Sequence, residues 1–282
     1  MGDVSFGHRT WTPEPRPGAL AAYRAVLASR IRAQRSYRTS FAVDMVGAMT
    51  VSIVELIELA VIFGSVGTLG GLDVRAVLLV FGIAETSFAL ADLVVGHLDR
   101  LPRYLREGTW DVFCIRPQPL LLQLITSDIS LKRLARVGVG VACIVGALIV
   151  NDIDWTAGRA GMLALALTFA PLLYAALFVS AAGVQFVLVN GAEFTNAFTY
   201  GGRYAGTQPA SVWPRSLAAV FGFLVPVAFT AYLPALVILG LPGGGFLPAW
   251  LAWFLPLAAA WCWLVAMTLW HFGVRHYQGG GG

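Results

Sequence analysis

The chain has 282 residues, 58% of them hydrophobic and 12% charged, with a mean hydropathy of +0.74 that excludes a soluble globular class. Its net charge of +4 comes almost wholly from arginine, since Lys132 is the single lysine. The basic residues lie beside apolar runs, which points to membrane orientation and anionic headgroups and away from nucleic acid.

In chain order, residues 1–18 hold Pro13, Pro15 and Pro17 and read as a disordered cytoplasmic tail. Residues 19–40 change character. Leu20, Tyr23, Leu27 and Ile31 recur at helical spacing while Arg24, Arg32, Arg35 and Arg38 cluster elsewhere, which predicts an amphipathic interfacial helix. A partner-binding basic helix is the alternative. Six apolar runs follow at 41–64, 76–96, 134–150, 160–189, 216–239 and 249–272, each read as one membrane crossing of about 20 residues.

The loop 97–133 is the largest connection, with an amphipathic stretch over His97–Arg106, two prolines at 117 and 119, and a helix start expected at Ser127 or Asp128. Pro171 should kink the fourth run. The aromatic and glycine-rich stretch 190–215 reads as a cytoplasmic connection along the interface. Prolines at 226, 234, 242 and 248 with Gly243–Gly245 suggest a re-entrant element over 226–248, the alternative being a kinked span and a turn. Trp250, Trp253 and Trp270 fit aromatic belts around the last span, and 273–282 form a short tail.

On this reading, 17 of the 19 basic residues fall on one side, so the positive-inside rule puts both termini in the cytoplasm. The fold class expected is therefore all-α: a polytopic membrane protein with six transmembrane helices in a domain over 41–272. No cleavable signal peptide is visible at the N-terminus. Neither the three cysteines nor the four histidines show disulfide or metal-ligand spacing. Lys132 follows Leu131, so no Gly-Lys pair exists to make a phosphate-binding P-loop, and no nucleophile elbow or zinc helix is present. The chain is not expected to be an enzyme.

Two patterns carry the functional reading. The loop after the second span contains Gly108-x-x-Asp111-x-x-x-x-Arg116-Pro117, and the chain closes on Trp270-x-x-Gly273-x-Arg275-x-Tyr277. With six spans and an interfacial first helix, these resemble the permeases of ATP-binding cassette transporters of the ABC-2 type, in the six-helix subfamily with a G-x-x-D-x-x-x-x-R-P loop. Cys114-Ile115 replaces a more leucine-rich family pattern. The resemblance implies an exporter of the bacterial plasma membrane. It implies as partners two copies of a separate ATPase subunit, which bind ATP and Mg, and a second permease, identical or paralogous. No cofactor is expected in this chain itself. It also implies that the segment with Gly108, Asp111, Arg116 and Pro117 couples to the ATPase.

The second pattern is acidic. Asp44, Glu55 and Glu58 lie in the first span, Glu85 and Asp92 in the second. At about 100° per residue, 44 and 55 share a face with 58 nearby, as do 85 and 92. Carboxylates facing lipid cost about 2.5–3.5 kcal/mol each, so these faces should turn inward. No basic residue is expected at their depth, which would favour protonated carboxyls. They line either a path for a cation or proton, or an interhelical hydrogen-bond network. The path reading supports an alternative function, a secondary transporter or channel.

Overall fold

The computed structural model describes residues 38–115, 118–127, 130–188, 192–244 and 246–277. The expected tail 1–18, nearly all of the interfacial helix 19–40, and Arg116 and Pro117 lie outside the described residues.

Two long apolar helices open the described chain, α1 (Arg38–Val66) and α2 (Val74–Val95). Asp73 starts the second by accepting a hydrogen bond from the Ala76 amide at 2.9 Å. A 3₁₀ turn (Gly96–Arg100) and α3 (Leu101–Arg106) continue the same rod, so the expected amphipathic stretch is helical. Two short helices follow in the loop, α4 (Trp110–Cys114) and α5 (Leu120–Ser127). Ser127 thus ends a helix, its hydroxyl donating to the Leu124 carbonyl at 2.7 Å, rather than starting one. Next come α6 (Leu134–Val150) and α7 (Ala157–Gln185), the latter capped by Thr156 and carrying Pro171 within it.

The expected fifth span needs correction. The polar, aromatic stretch is a helix, α8 (Ala192–Gly206). It begins beside the end of α7, where Gln185 donates to Thr195 at 3.0 Å. It leads to Ser211, which packs against Gly70 in the connection between α1 and α2, at the opposite end of the bundle. The chain therefore crosses the bundle over 192–213, not over 216–239.

The apolar run expected as that span instead folds into a hairpin. Its first arm is α9 (Arg215–Ala219), extended by a π turn (Val220–Leu224). After a 71° break comes a 3₁₀ turn (Val227–Phe229) and α10 (Tyr232–Leu239). The hairpin tip reaches into the bundle, where Thr230 lies 3.2 Å from the Tyr174 hydroxyl. Its second arm returns to the end it started from, because Gly240 sits against Arg159 at the start of α7. Gly240 has φ +74°, a left-handed helix stop that suits glycine. Pro226 fits the break, since it cannot donate to a continuing helix.

A two-residue ribbon, β1 (Gly243–Gly244) with β2 (Leu247–Pro248), and a 3₁₀ turn (Ala249–Phe254) lead to α11 (Leu255–His276). One end of the bundle carries Arg103, Arg106, Lys132 and Arg275; we call it the basic face. The other carries the 67–73 and 151–156 turns and the ribbon.

The core lies between α2, α6, α7 and α11. Glycines let the backbones meet. A Cβ on Gly82 would fall 2.7 Å from the Ile144 amide nitrogen, joining α2 to α6. One on Gly273 would fall 2.2 Å from the Gly183 carbonyl oxygen, joining α7 to α11. By contrast, the apolar window of α1 is 17% buried against 78% for α2, so α1 lies at the rim.

Candidate functional site

Two clusters stand out, one of charges inside the bundle and one of aromatic rings at the basic face.

The first is built on Glu85 of α2, whose side chain is fully buried. Arg136 of α6 binds it in bidentate fashion, Nε to Oε1 at 2.9 Å and Nη2 to Oε2 at 3.2 Å. Arg203 of α8 approaches from the other side, Nη2 to Oε2 at 2.7 Å. The same guanidinium grips Glu55 of α1 at 2.9 and 2.5 Å. Ser52 of α1 donates to Glu85 at 2.7 Å. Two helical turns away, Asp92 receives Arg133 Nε at 3.0 Å. The Phe88 ring lies near both guanidinium groups, 5.4 Å from that of Arg136 and 5.5 Å from that of Arg203. Three carboxylates thus meet three guanidinium groups across four helices, and the charges balance.

Glu55, Glu85 and Asp92 do turn inward, and Glu55 and Glu85 do meet, whereas Asp44 and Glu58 stay exposed. The expectation that no cation lies at their depth is overturned, and with it the reason for protonated carboxyls. Arg203 belongs to a helix that crosses the bundle, not to a cytoplasmic loop. Arg136 lies near the start of α6 and reaches along α2, its long stem covering the distance. One signal for Arg203 was present in the sequence. Thr195, Thr199 and Arg203 recur every four residues, and all three are buried on one face. Glu58 and Asp44 stay outside the cluster. Glu58 accepts from the Tyr204 hydroxyl at 2.8 Å, and Asp44 lies 3.7 Å from Lys132.

An apolar recess of about 280 Å³ is separate. It opens between α7, α8, α11 and the hairpin tip, lined by Leu177, Phe198, Leu224, Trp261 and Val265 among others, with no charged side chain. The acids therefore do not line it.

The second cluster contains the loop motif. Gly108 has φ +67°, a conformation that favours glycine, and turns the chain into α4. Trp110 then points inward and is fully buried, while Asp111, Val112 and Ile115 face out. Its ring packs on Phe186 (5.0 Å), Trp270 (6.2 Å) and Tyr277 (6.4 Å), all near edge-to-face. The Tyr277 hydroxyl donates to Asp111 at 3.2 Å. Trp270 is therefore part of an internal cluster rather than an aromatic belt; Trp250 and Trp253 remain exposed near the opposite face. Asp111 of the loop motif and Tyr277 of the closing pattern, far apart in sequence, are neighbours in space. Burial, and then the Asp111 carboxylate, push the exposed Cys114 thiol up from its ordinary pKa.

The model of the ABC-2 family transporter proteins matches residues 49–281, which include both clusters. The chain belongs to that family. No curated protein and no solved structure matches it. As an ABC-2 family member it is a multi-pass membrane protein and a permease component of an ABC transporter. Such a permease works with ABC ATPase subunits.

Proposed function

We propose that this ABC-2 permease is the membrane subunit of an exporter in a bacterial plasma membrane. ATP and Mg are bound by two copies of a separate ATPase subunit, and the permease pairs with a second copy or a paralogue. The basic face is cytoplasmic, as are both termini, in accord with the positive-inside rule. Arg203 leaves the tally of cytoplasmic cations and Arg215 moves to the opposite end, but the bias of the others is kept. The hairpin over Arg215–Leu239 then enters the membrane from outside and returns, its broken backbone covered by α7 and α8.

The single observation that carries the coupling role is the shape of α4. Asp111, Val112 and Ile115 are exposed on its outer side at the basic face, with Ile115 at 81%. Its inner side is anchored through Trp110. A short helix with an anchored inner face and a charged and apolar outer face is suited to seat in a groove of the ATPase, with Gly108 at its entry; Arg116 and Pro117 follow it in sequence. Glu55, Glu85 and Asp92 act in this reading as interhelical ties. Their charges are matched, so the alternative of a secondary transporter using free carboxylates loses its main support.

Purification of the chain from its host in mild detergent should bring down a P-loop ATPase in stoichiometric amount, with or without a second permease. Recovery of the chain alone, under conditions that preserve such complexes, would refute the reading. In the complex, Arg116→Glu should leave insertion intact and abolish transport-linked ATP hydrolysis; unchanged hydrolysis would remove Arg116 from the coupling segment.

A further inference from the structure

We propose that Trp110 is a positioning residue that fastens the partner-facing helix α4 to the last helix, so that movement of α4 is delivered to the α7–α11 pair. The inference rests on the coupling role proposed above for α4 and adds where the movement goes.

Three observations carry it. First, Trp110 joins α4 to both members of the pair at once. Phe186 follows the end of α7, Trp270 and Tyr277 belong to α11 and its end, and these three rings also touch one another, Phe186–Trp270 at 5.5 Å and Phe186–Tyr277 at 6.0 Å. Second, the Trp110 indole N–H has no hydrogen-bond partner among the described residues although the side chain is fully buried. A buried donor left unpaired opposes folding, so what favours tryptophan here is its ring area and shape. Third, α7 and α11 meet backbone to backbone one helical turn further on, where Gly273 allows no side chain against the Gly183 carbonyl. A push on the ring cluster therefore moves two helices as one body. Over its 22 residues α11 extends about 33 Å, enough to carry that motion across the bilayer.

A second route from α4 leads back to α3, through the chain and the Phe113–Tyr104 ring contact at 5.6 Å, and is softer. It passes Gly108, whose positive φ and open surroundings make a hinge. Without the ring cluster, α4 would pivot more freely at Gly108 and deliver less of its motion to the α7–α11 pair. The Tyr277–Asp111 hydrogen bond fixes the twist of α4 about the Trp110 peg.

The test uses the full complex of permease and its ATPase in lipid nanodiscs. Cys114, Cys143 and Cys262 are replaced by serine, and a bimane fluorophore is placed at Leu264→Cys on the exposed side of α11. ATP with vanadate should change the bimane emission in this parent. Trp110→Leu should lose that change while still trapping nucleotide with vanadate, and Trp110→Phe should restore it, since the missing N–H has no partner among the described residues to lose. Should Trp110→Leu fail to fold, Phe186→Leu serves in its place, with a reduced response expected. A full response in a folded Trp110→Leu or Phe186→Leu complex overturns the anchor alone. A parent that traps nucleotide yet shows no change at α11 overturns the delivery to this helix. A parent with no ATPase to trap nucleotide overturns the proposed function, and the anchor with it.

Discussion

The buried charges and the aromatic rings hold different halves of the same bundle by different physics. The charged seam ties α1, α2, α6 and α8 through six ionised groups; the ring cluster ties α4, α7 and α11 through dispersion and packing. An ion pair inside a membrane is secure only while every member is present, because a survivor is left charged in a medium that does not solvate it. A ring cluster degrades gradually, since each ring adds area. The seam is therefore all-or-none and suits a fixed junction. The cluster tolerates exchange and suits a joint that must move.

The largest effect should come from the seam. Arg203→Ala takes its cation from Glu55 and leaves Glu85 with Arg136 alone, and should cost about 3–5 kcal/mol. Thermal unfolding in detergent should show a large fall in Tm or loss of the monodisperse protein. A Tm equal to the parent would mean that the seam is incidental. Next is the junction behind the ring cluster. A methyl group on Gly273 would meet the Gly183 carbonyl oxygen at 2.2 Å, so Gly273→Ala should separate α7 from α11 and cost about 1–3 kcal/mol. Loss of ATP-dependent motion is expected to follow, read by the same bimane label.

A charge pair outside the seam marks the contrast. Lys132 and Asp44 are 46% and 57% exposed, so Lys132→Met should change stability by less than about 1 kcal/mol. A loss as large as that for Arg203→Ala would break the distinction between buried and exposed pairs. The smallest effect concerns Cys114, beside the ring cluster. Its raised pKa means less thiolate at a given pH, so alkylation at pH 8 should be slower than for a free cysteine peptide. Asp111→Asn removes one cause of the shift and should speed it modestly. A rate unchanged by that substitution would show that burial acts alone.

Much of the bundle was legible in the sequence because apolar length is a direct demand of the bilayer. The runs at 41–64, 76–96, 134–150, 160–189 and 249–272 all correspond to long helices, with ends shifted by a few residues. The inward turn of Glu55 and Glu85 was legible for the same reason, since lipid cannot host carboxylates. Hydropathy failed at the fifth crossing. It chose 216–239, the most apolar stretch available, whereas the chain crosses over 192–213 with an arginine on board. One face of that helix, with Thr195, Thr199 and Arg203, is buried against its protein neighbours, while Phe198, Tyr200 and Tyr204 stay exposed, so its polar residues answer to protein and not to lipid.

The sequence by itself determined the class, the helix lengths, the basic bias of one face, and two motifs whose residues proved to be neighbours. Only the tertiary structure decided which charges neutralise which, because pairing depends on the meeting of four helices and not on spacing along one. It alone turned an apolar span into a hairpin, and it alone brought Trp110 to Trp270 across most of the chain. Local patterns report the surroundings that each segment tolerates; which segment provides those surroundings is a property of the whole packed bundle.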